Sequence, residues 1–293
     1  FTDLELALFN RRLRAALERL WRTGEIYLER PDVDSEVRNS LHYLRNVFPE
    51  AVELLDLRFQ YAWSSTFATT PPKLPSLNFG SWVGGDRDGH PFVTPEITAK
   101  TLRTLHDAAV ALLLEGLRAL GSKLSLAADP EAPPQLVERI NTLSAAIGSA
   151  AGPAIGRNPG EPWRQLLNLM AIRLQATAAG HGACPYHTPD DLLDDLDVVE
   201  SALRQVGAST VADLDVRPFA AQVRAFGFHL ATLDIRQNSA YFDRAIEGLL
   251  DASGSPASGY ASWTPDQRLD FLNRELASLR PVTGPRMDLP GEA

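Results

Sequence analysis

The residues best suited to chemistry lie in two stretches. The first, LNFGSWVGGDRDGHPFVTPEIT (77–98), sets Asp86, Arg87 and Asp88 on a turn built from Gly84, Gly85 and Gly89, with Trp82 just before it and His90 just after. Glycines free the backbone for conformations closed to other residues. In that turn Asp86 and Asp88 could hold Arg87 through charge-assisted hydrogen bonds and fix a cation for an anionic ligand. The competing reading is a structural turn whose charges pair in solvent, since turns rich in Gly and Asp are common. The second stretch, FGFHLATLDIRQNS (226–239), ends an apolar run with Arg236, two residues after Asp234. An arginine at a strand end is a good fixed cation for phosphate or carboxylate. On a strand Asp234 and Arg236 share a face, so a salt bridge between them is the plainer alternative. Burial statistics place Trp82 in the core more readily than against a ligand.

Other chemistries fit less well. A P-loop would need Gly-Lys-Ser/Thr at its end, which is absent. An EF-hand loop with Gly89 at its central glycine would put Gly84 and Pro95 where carboxylates are required. His181, Cys184 and His187 have a spacing that could bind zinc, but no fourth ligand lies near in the sequence, and the expectation is that no metal binds there. His90 and His229 fall inside the two stretches without an evident partner for acid–base work.

Composition narrows the class. Of 293 residues 44% are hydrophobic and 22% charged, as in ordinary globular proteins. A net charge of −9 argues against a general nucleic-acid binder. Cys184 is the only cysteine, which excludes an intrachain disulfide and suits a reducing compartment. No apolar run reaches the ~18 residues of a membrane span. A cytoplasmic location without membrane or nucleic-acid partners is therefore expected.

The elements that must position these residues are nearly all helices. Helical apolar periodicity covers 3–23, 34–47, 50–63, 135–148, 162–178, 218–226 and 239–251. Thr2 and Glu5 stand in capping-box spacing at the start of the first. Thr94-Pro95, Thr188-Pro189 and Thr264-Pro265 each read as an N-cap followed by a first-turn proline, opening helices to about Leu120, Val206 and Leu279. Only Leu77–Val83 and Leu230–Ile235 are strand-compatible, and each abuts one of the two motifs. Residues 281–293, rich in Pro and Gly, predict a frayed tail. The expectation is one mainly α region over 1–293, with only a few short strands.

At these motifs the chain resembles the phosphoenolpyruvate carboxylase family. FGSWVGGDRDGHPFVTPEIT is similar to that family's segment of Trp, Gly-Gly-Asp-Arg-Asp-Gly-Asn-Pro and Val-Thr. FGFHLATLDIRQNS is similar to its Leu-Asp-Ile-Arg-Gln-Glu-Ser segment. His90 stands where the family has Asn, and Asn238 where it has Glu. The resemblance runs over about residues 15–250. It implies a helix-rich piece of an α/β barrel and a carboxy-lyase that adds bicarbonate to phosphoenolpyruvate, giving oxaloacetate and phosphate with Mg²⁺ or Mn²⁺. The parent would be a homotetramer supplying oxaloacetate to the tricarboxylic acid cycle. It implies that Arg236 contacts substrate phosphate, that Trp82 and Arg87 line the substrate region, and that Gly84, Gly85, Asp86, Asp88, Gly89 and Asp234 shape it. The family's catalytic histidine segment, metal-binding carboxylates and Gly-Arg-Gly-Gly loop have no counterpart within 1–293. The chain therefore reads as an internal part of the N-terminal half, with no complete catalytic set, no metal ligands and no activity of its own. The alternative is a short non-catalytic paralogue serving as a binding module on the same scaffold.

Overall fold

The computed structural model describes residues 2–23, 32–69, 71–88, 90–128, 131–255, 259–279 and 284. Gly89 and all of the expected tail except Gly284 lie outside the described residues. Three helices come first: α1 (Asp3–Arg22), α2 (Val33–Asn46) and α3 (Phe48–Thr66). The Thr2–Glu5 capping box forms as its spacing predicts. None of the α1 residues is buried, and its Leu13, Leu17, Leu20 and Trp21 are exposed. An extended connector then leads into β1 (Gly80–Ser81).

After the glycine turn, α4 (Pro95–Lys123) starts on Thr94, whose hydroxyl accepts from the Ile97 N–H. Two further helices, α5 (Pro134–Ile147) and α6 (Ala151–Gly156), precede α7 (Pro162–Ala179). Helical periodicity does not mark the stretch between 148 and 162 in which α6 forms. Its Ala151 and Ala154 are buried against α7, so tertiary burial overrides the weak propensity of a Gly- and Pro-containing segment. Then come α8 (Pro189–Gln205), the single turn α9 (Ser209–Val211), a π-helical segment over Ala212–Val216 and α10 (Arg217–Phe226). Following β2 (Thr232–Leu233), the chain closes with α11 (Ser239–Ala252) and α12 (Pro265–Leu276). The Thr188 and Thr264 starts are capping boxes, completed by Asp191 and Gln267. Caps of this kind contribute about 1 kcal/mol each, which is why those boundaries were readable.

The main core lies among α4, α5, α7, α8 and α10, around Leu113, Leu117, Leu136, Leu166, Leu196 and Val223. Asp195 is fully buried on α8 and is held from three sides. Arg139 Nε donates to it at 2.5 Å, Arg173 Nη1 at 2.6 Å and the Tyr186 hydroxyl at 2.6 Å. Arg173 also lies 3.8 Å over the Tyr186 ring. A buried charge is tolerable only when paired and hydrogen-bonded in this way. Burial, then the Asp195 carboxylate, raise the Tyr186 phenol well above its usual value, so it stays a donor.

The segment around Cys184 serves this network: its carbonyl accepts from Arg173 Nε at 3.0 Å, while the His187 N–H donates to Asp191 at 3.0 Å. Among the described residues no helix is long and apolar enough to cross a membrane.

A second core, containing Leu105, Ala109, Ala225, Phe226 and Leu230, underlies the strands. Phe79, the residue before β1, is stacked between Phe48 (4.9 Å) and Phe226 (5.2 Å). Helices α3 and α10 thereby fix where β1 begins. Offset aromatic stacks of this kind add about 0.5–1.5 kcal/mol beyond area burial.

Candidate functional site

The two motifs, about 150 residues apart in sequence, are hydrogen-bonded to each other. Strands β1 and β2 pair in parallel with Gly80 opposite Thr232 and Ser81 opposite Leu233. The Thr232 N–H donates to Phe79 O and the Asp234 N–H to Ser81 O, both at 2.8 Å. Pairing resumes at a bridge between Asp86 and Arg236, where the Arg236 N–H donates to Gly85 O (3.0 Å) and the Arg87 N–H to Arg236 O (2.9 Å). Between the two paired stretches the first strand advances from Ser81 to Asp86 while the second advances only from Leu233 to Arg236. The surplus residues must fold away in a tight turn. Both Gly85 and Asp86 donate back to Trp82 O, at 2.9 and 3.0 Å.

This geometry explains two of the glycines. Gly84 has φ +84°, and a Cβ there would meet Thr101 Oγ1 at 2.3 Å. A Cβ on Gly85 would meet Asp234 O at 2.3 Å. Gly85 is therefore where the two motif backbones touch, and its role is close approach. Gly89 lies outside the described residues.

Helix α4 supplies the floor. Thr98 is buried and its hydroxyl donates to Gly84 O at 2.8 Å. The same oxygen accepts from Arg87 Nη2 at 3.3 Å. This corrects the expectation for Arg87: its guanidinium reaches inward to Thr98, with no ion pair to Asp86 or Asp88 among the described residues. Its backbone is committed to Arg236 and its side chain to the first turn of α4. Arg87 Nε is buried without a hydrogen-bond partner, an N–H whose desolvation is uncompensated. His90 Nδ1 is likewise buried and unpartnered, with the ring 5.7 Å from that of Phe92.

Arg236 also departs from the plainer reading. No ion pair with Asp234 forms among the described residues, although the two residues alternate along one extended segment. Instead the guanidinium lies 5.5 Å from the Trp82 ring centroid. Trp82 is 56% exposed, so the core position that burial statistics favour is not taken. Its indole stands on the turn, where its face meets the arginine, and a cation over an indole face is held by the ring quadrupole. The structure thus sets the backbones of Arg87 and Arg236 side by side, with the Arg236 guanidinium at the Trp82 face and that of Arg87 turned inward to Thr98, and with Gly84, Gly85 and Asp86 in the turn between Trp82 and Arg87. Asp88 and Asp234 are exposed beside that edge.

Thr98 and Thr101 were not legible as site residues. The one signal for Thr98 is its place four residues after the N-cap Thr94, on the helix turn nearest the glycine turn.

On the other side of β2, His106 Nδ1 meets Phe228 O at 2.9 Å, and its ring lies 5.3 Å from that of His229. A carbonyl only accepts, so His106 carries its proton on Nδ1. Burial, and then His106, push His229 below its usual value.

A mainly helical body that joins two arginine-bearing segments through one short parallel strand pair defines a helix-rich scaffold. The chain belongs to the phosphoenolpyruvate carboxylase family, whose model matches residues 1–293. It is 36% identical over 287 residues to a phosphoenolpyruvate carboxylase of Rhodopseudomonas palustris, covering 93% of this chain and 30% of that protein. It is 34% identical over 300 residues to the enzyme of that name from Bradyrhizobium diazoefficiens, covering 97% of this chain and 31% of the relative. With the Mycobacterium leprae protein of the same name the identity is 33% over 294 residues, covering 95% and 30%. The chain thus spans about 30% of the length of these relatives.

Proposed function

We propose that this chain forms the phosphate-gripping side of a phosphoenolpyruvate carboxylase active site, within a longer cytoplasmic polypeptide that assembles as a homotetramer. The reaction joins bicarbonate to phosphoenolpyruvate. The phosphoryl group passes to bicarbonate, giving carboxyphosphate and the enolate of pyruvate, and carboxylation of that enolate yields oxaloacetate and phosphate. The observation that supports this reading is the backbone pairing that joins the two arginine-bearing motifs at Gly85, Arg87 and Arg236.

Arg236, exposed and aligned by Trp82, presents a permanently charged fork to the phosphate. Arg87 lines the substrate region from behind, its backbone N–H paired with Arg236 O and its guanidinium anchored on Thr98. Donors fixed before reaction stabilise charge that shifts during phosphoryl transfer. Gly84, Gly85, Asp86, Asp88 and Asp234 shape the turn around them.

Mg²⁺ or Mn²⁺ would polarise substrate oxygens in the complete enzyme. The residues here do not fit such an ion: among those described, no three His, Cys, Asp or Glu side chains converge to hold a metal. The metal ligands and the proton-handling groups are assigned to the remainder of the polypeptide. A coupled assay for oxaloacetate, supplied with phosphoenolpyruvate, bicarbonate and Mg²⁺, tests the division of labour. This chain alone is expected to read background and the complete polypeptide to turn over. Robust turnover by the chain alone would contradict the proposal.

A further inference from the structure

A cleft of about 490 Å³ lies away from the paired motifs, between α3, α8, α10 and the connector that leads to β1. Gln60, Ser64, Lys73, Arg204, Arg217 and Arg224 line it. Three of its four cations are committed. Arg204 is held by Glu200 at 2.7 Å and by Asp213. Lys73 lies 3.6 Å from Asp197. Arg217 donates to Pro72 O at 2.9 Å and lies 3.6 Å from Oδ2 of the buried Asp56, the same oxygen that accepts from Gln60. Arg224 is different: half-buried, it makes no hydrogen bond and no ion pair among the described residues.

We infer that this cleft is a binding site for a small oxyanion, a phosphate or carboxylate group, received by the open guanidinium of Arg224. A half-buried arginine has surrendered part of its hydration, and its planar fork matches an oxyanion in two-pronged fashion. Burial lowers its proton affinity most, Asp56 partly restores it, Arg217 lowers it further, and Asp197 and Glu200 restore it in part. Ser64 and Gln60 add polar groups to the wall. Arg204 bridges Glu200 and Asp213 and offsets one of their two negative charges.

The position gives the site a structural consequence. Helix α10 carries Arg224 two residues before its end and leads directly into the turn before β2. Lys73 sits on the connector that leads into β1, and Arg217 already ties α10 to that connector through Pro72. An anion here braces the two segments that feed the paired motifs. This inference is independent of the carboxylase reading.

The test is calorimetric titration of the full chain with inorganic phosphate and, separately, with succinate; the tighter of the two separates phosphate from carboxylate ligands. Arg224→Gln is expected to weaken the bound anion at least ~10-fold, a loss of about one hydrogen-bonded charge contact. Arg224→Lys should lie between Gln and wild type, since it keeps the charge and loses the fork. Arg236→Gln should leave this binding intact, separating the cleft from the motif edge. Each variant's melting temperature is read alongside, and the Lys variant carries the comparison if the Gln variant fails to fold. Absence of binding of both anions to wild type would overturn the inference. So would affinity unchanged in both Arg224 variants, or affinity lost in Arg236→Gln instead.

Discussion

Gly85→Ala should separate the two motifs. The added Cβ would lie 2.3 Å from Asp234 O, with Asp234 C and Leu233 Cγ both at 3.1 Å. The nearest obstacle is backbone of the opposing strand, which has no rotamer to yield. Restoring ordinary contact needs a shift of about 1 Å, which stretches the bonds at that bridge beyond hydrogen-bonding range. Those are the Arg236 N–H to Gly85 O and the Arg87 N–H to Arg236 O. Two lost bonds at about 1 kcal/mol each, with about 1–3 kcal/mol for the forced displacement, give a cost of about 3–5 kcal/mol. At about 2–4 °C per kcal/mol for a protein of this size, the melting temperature should fall by roughly 6–20 °C. Should the pair part without global unfolding, the amides of Arg87 and Arg236 lose exchange protection instead. Gly152→Ala is the control: its Cβ meets nothing within 4 Å, and it should be neutral or slightly stabilising. A Gly85→Ala protein with unchanged melting temperature and protected Arg87 and Arg236 amides would refute the reasoning.

Thr98→Val strips a buried hydroxyl that serves both Gly84 O and Arg87 Nη2. It should lower stability by about 1–3 kcal/mol in chemical denaturation, while Thr98→Ser retains most of it; equal losses in the two variants would show that the methyl group, not the hydroxyl, matters. Acidification should destabilise the fold through His229, whose folded pKa lies below its ordinary 6.5. As pH falls through that value the unfolded chain takes up the proton first, so stability present above pH 6.5 is lost progressively below it. Melting temperatures from pH 7.5 to 5 (about the range in which histidine titrates) should slope downward, and His229→Gln should flatten the slope; an unaltered slope would remove His229 as its source.

Much of the helical frame was readable because local chemistry sets it. Thr94, Thr188 and Thr264 cap helices with their own hydroxyls, and the prolines that follow suit a first helical turn. The two strands were placed correctly but are shorter than their apolar runs, since only Gly80–Ser81 and Thr232–Leu233 find partners. Helix α6 and the π-helical turn over Ala212–Val216 were missed, because burial rather than local pattern dictates them. At the site, the glycines and charges announced a turn, but their partners lie far along the chain. Nothing near Gly85 in sequence signals that Asp234 O lies against it. Nothing beside Arg87 says that its guanidinium goes to Thr98, or that Arg236 prefers the Trp82 face to the neighbouring Asp234. Such choices are settled by register between distant segments.

The central claim, that Arg236 grips substrate phosphate, is tested most directly by kcat/KM and melting temperature measured together on Arg236 variants of a complete carboxylase carrying this chain. Arg236→Lys should keep the fold and lower kcat/KM at least ~10-fold, and Arg236→Ala should lower it further, in line with the ~2–4 kcal/mol of a lost transition-state donor. A folded Arg236→Ala enzyme with unchanged kcat/KM, or one whose loss appears only in melting temperature, would contradict it.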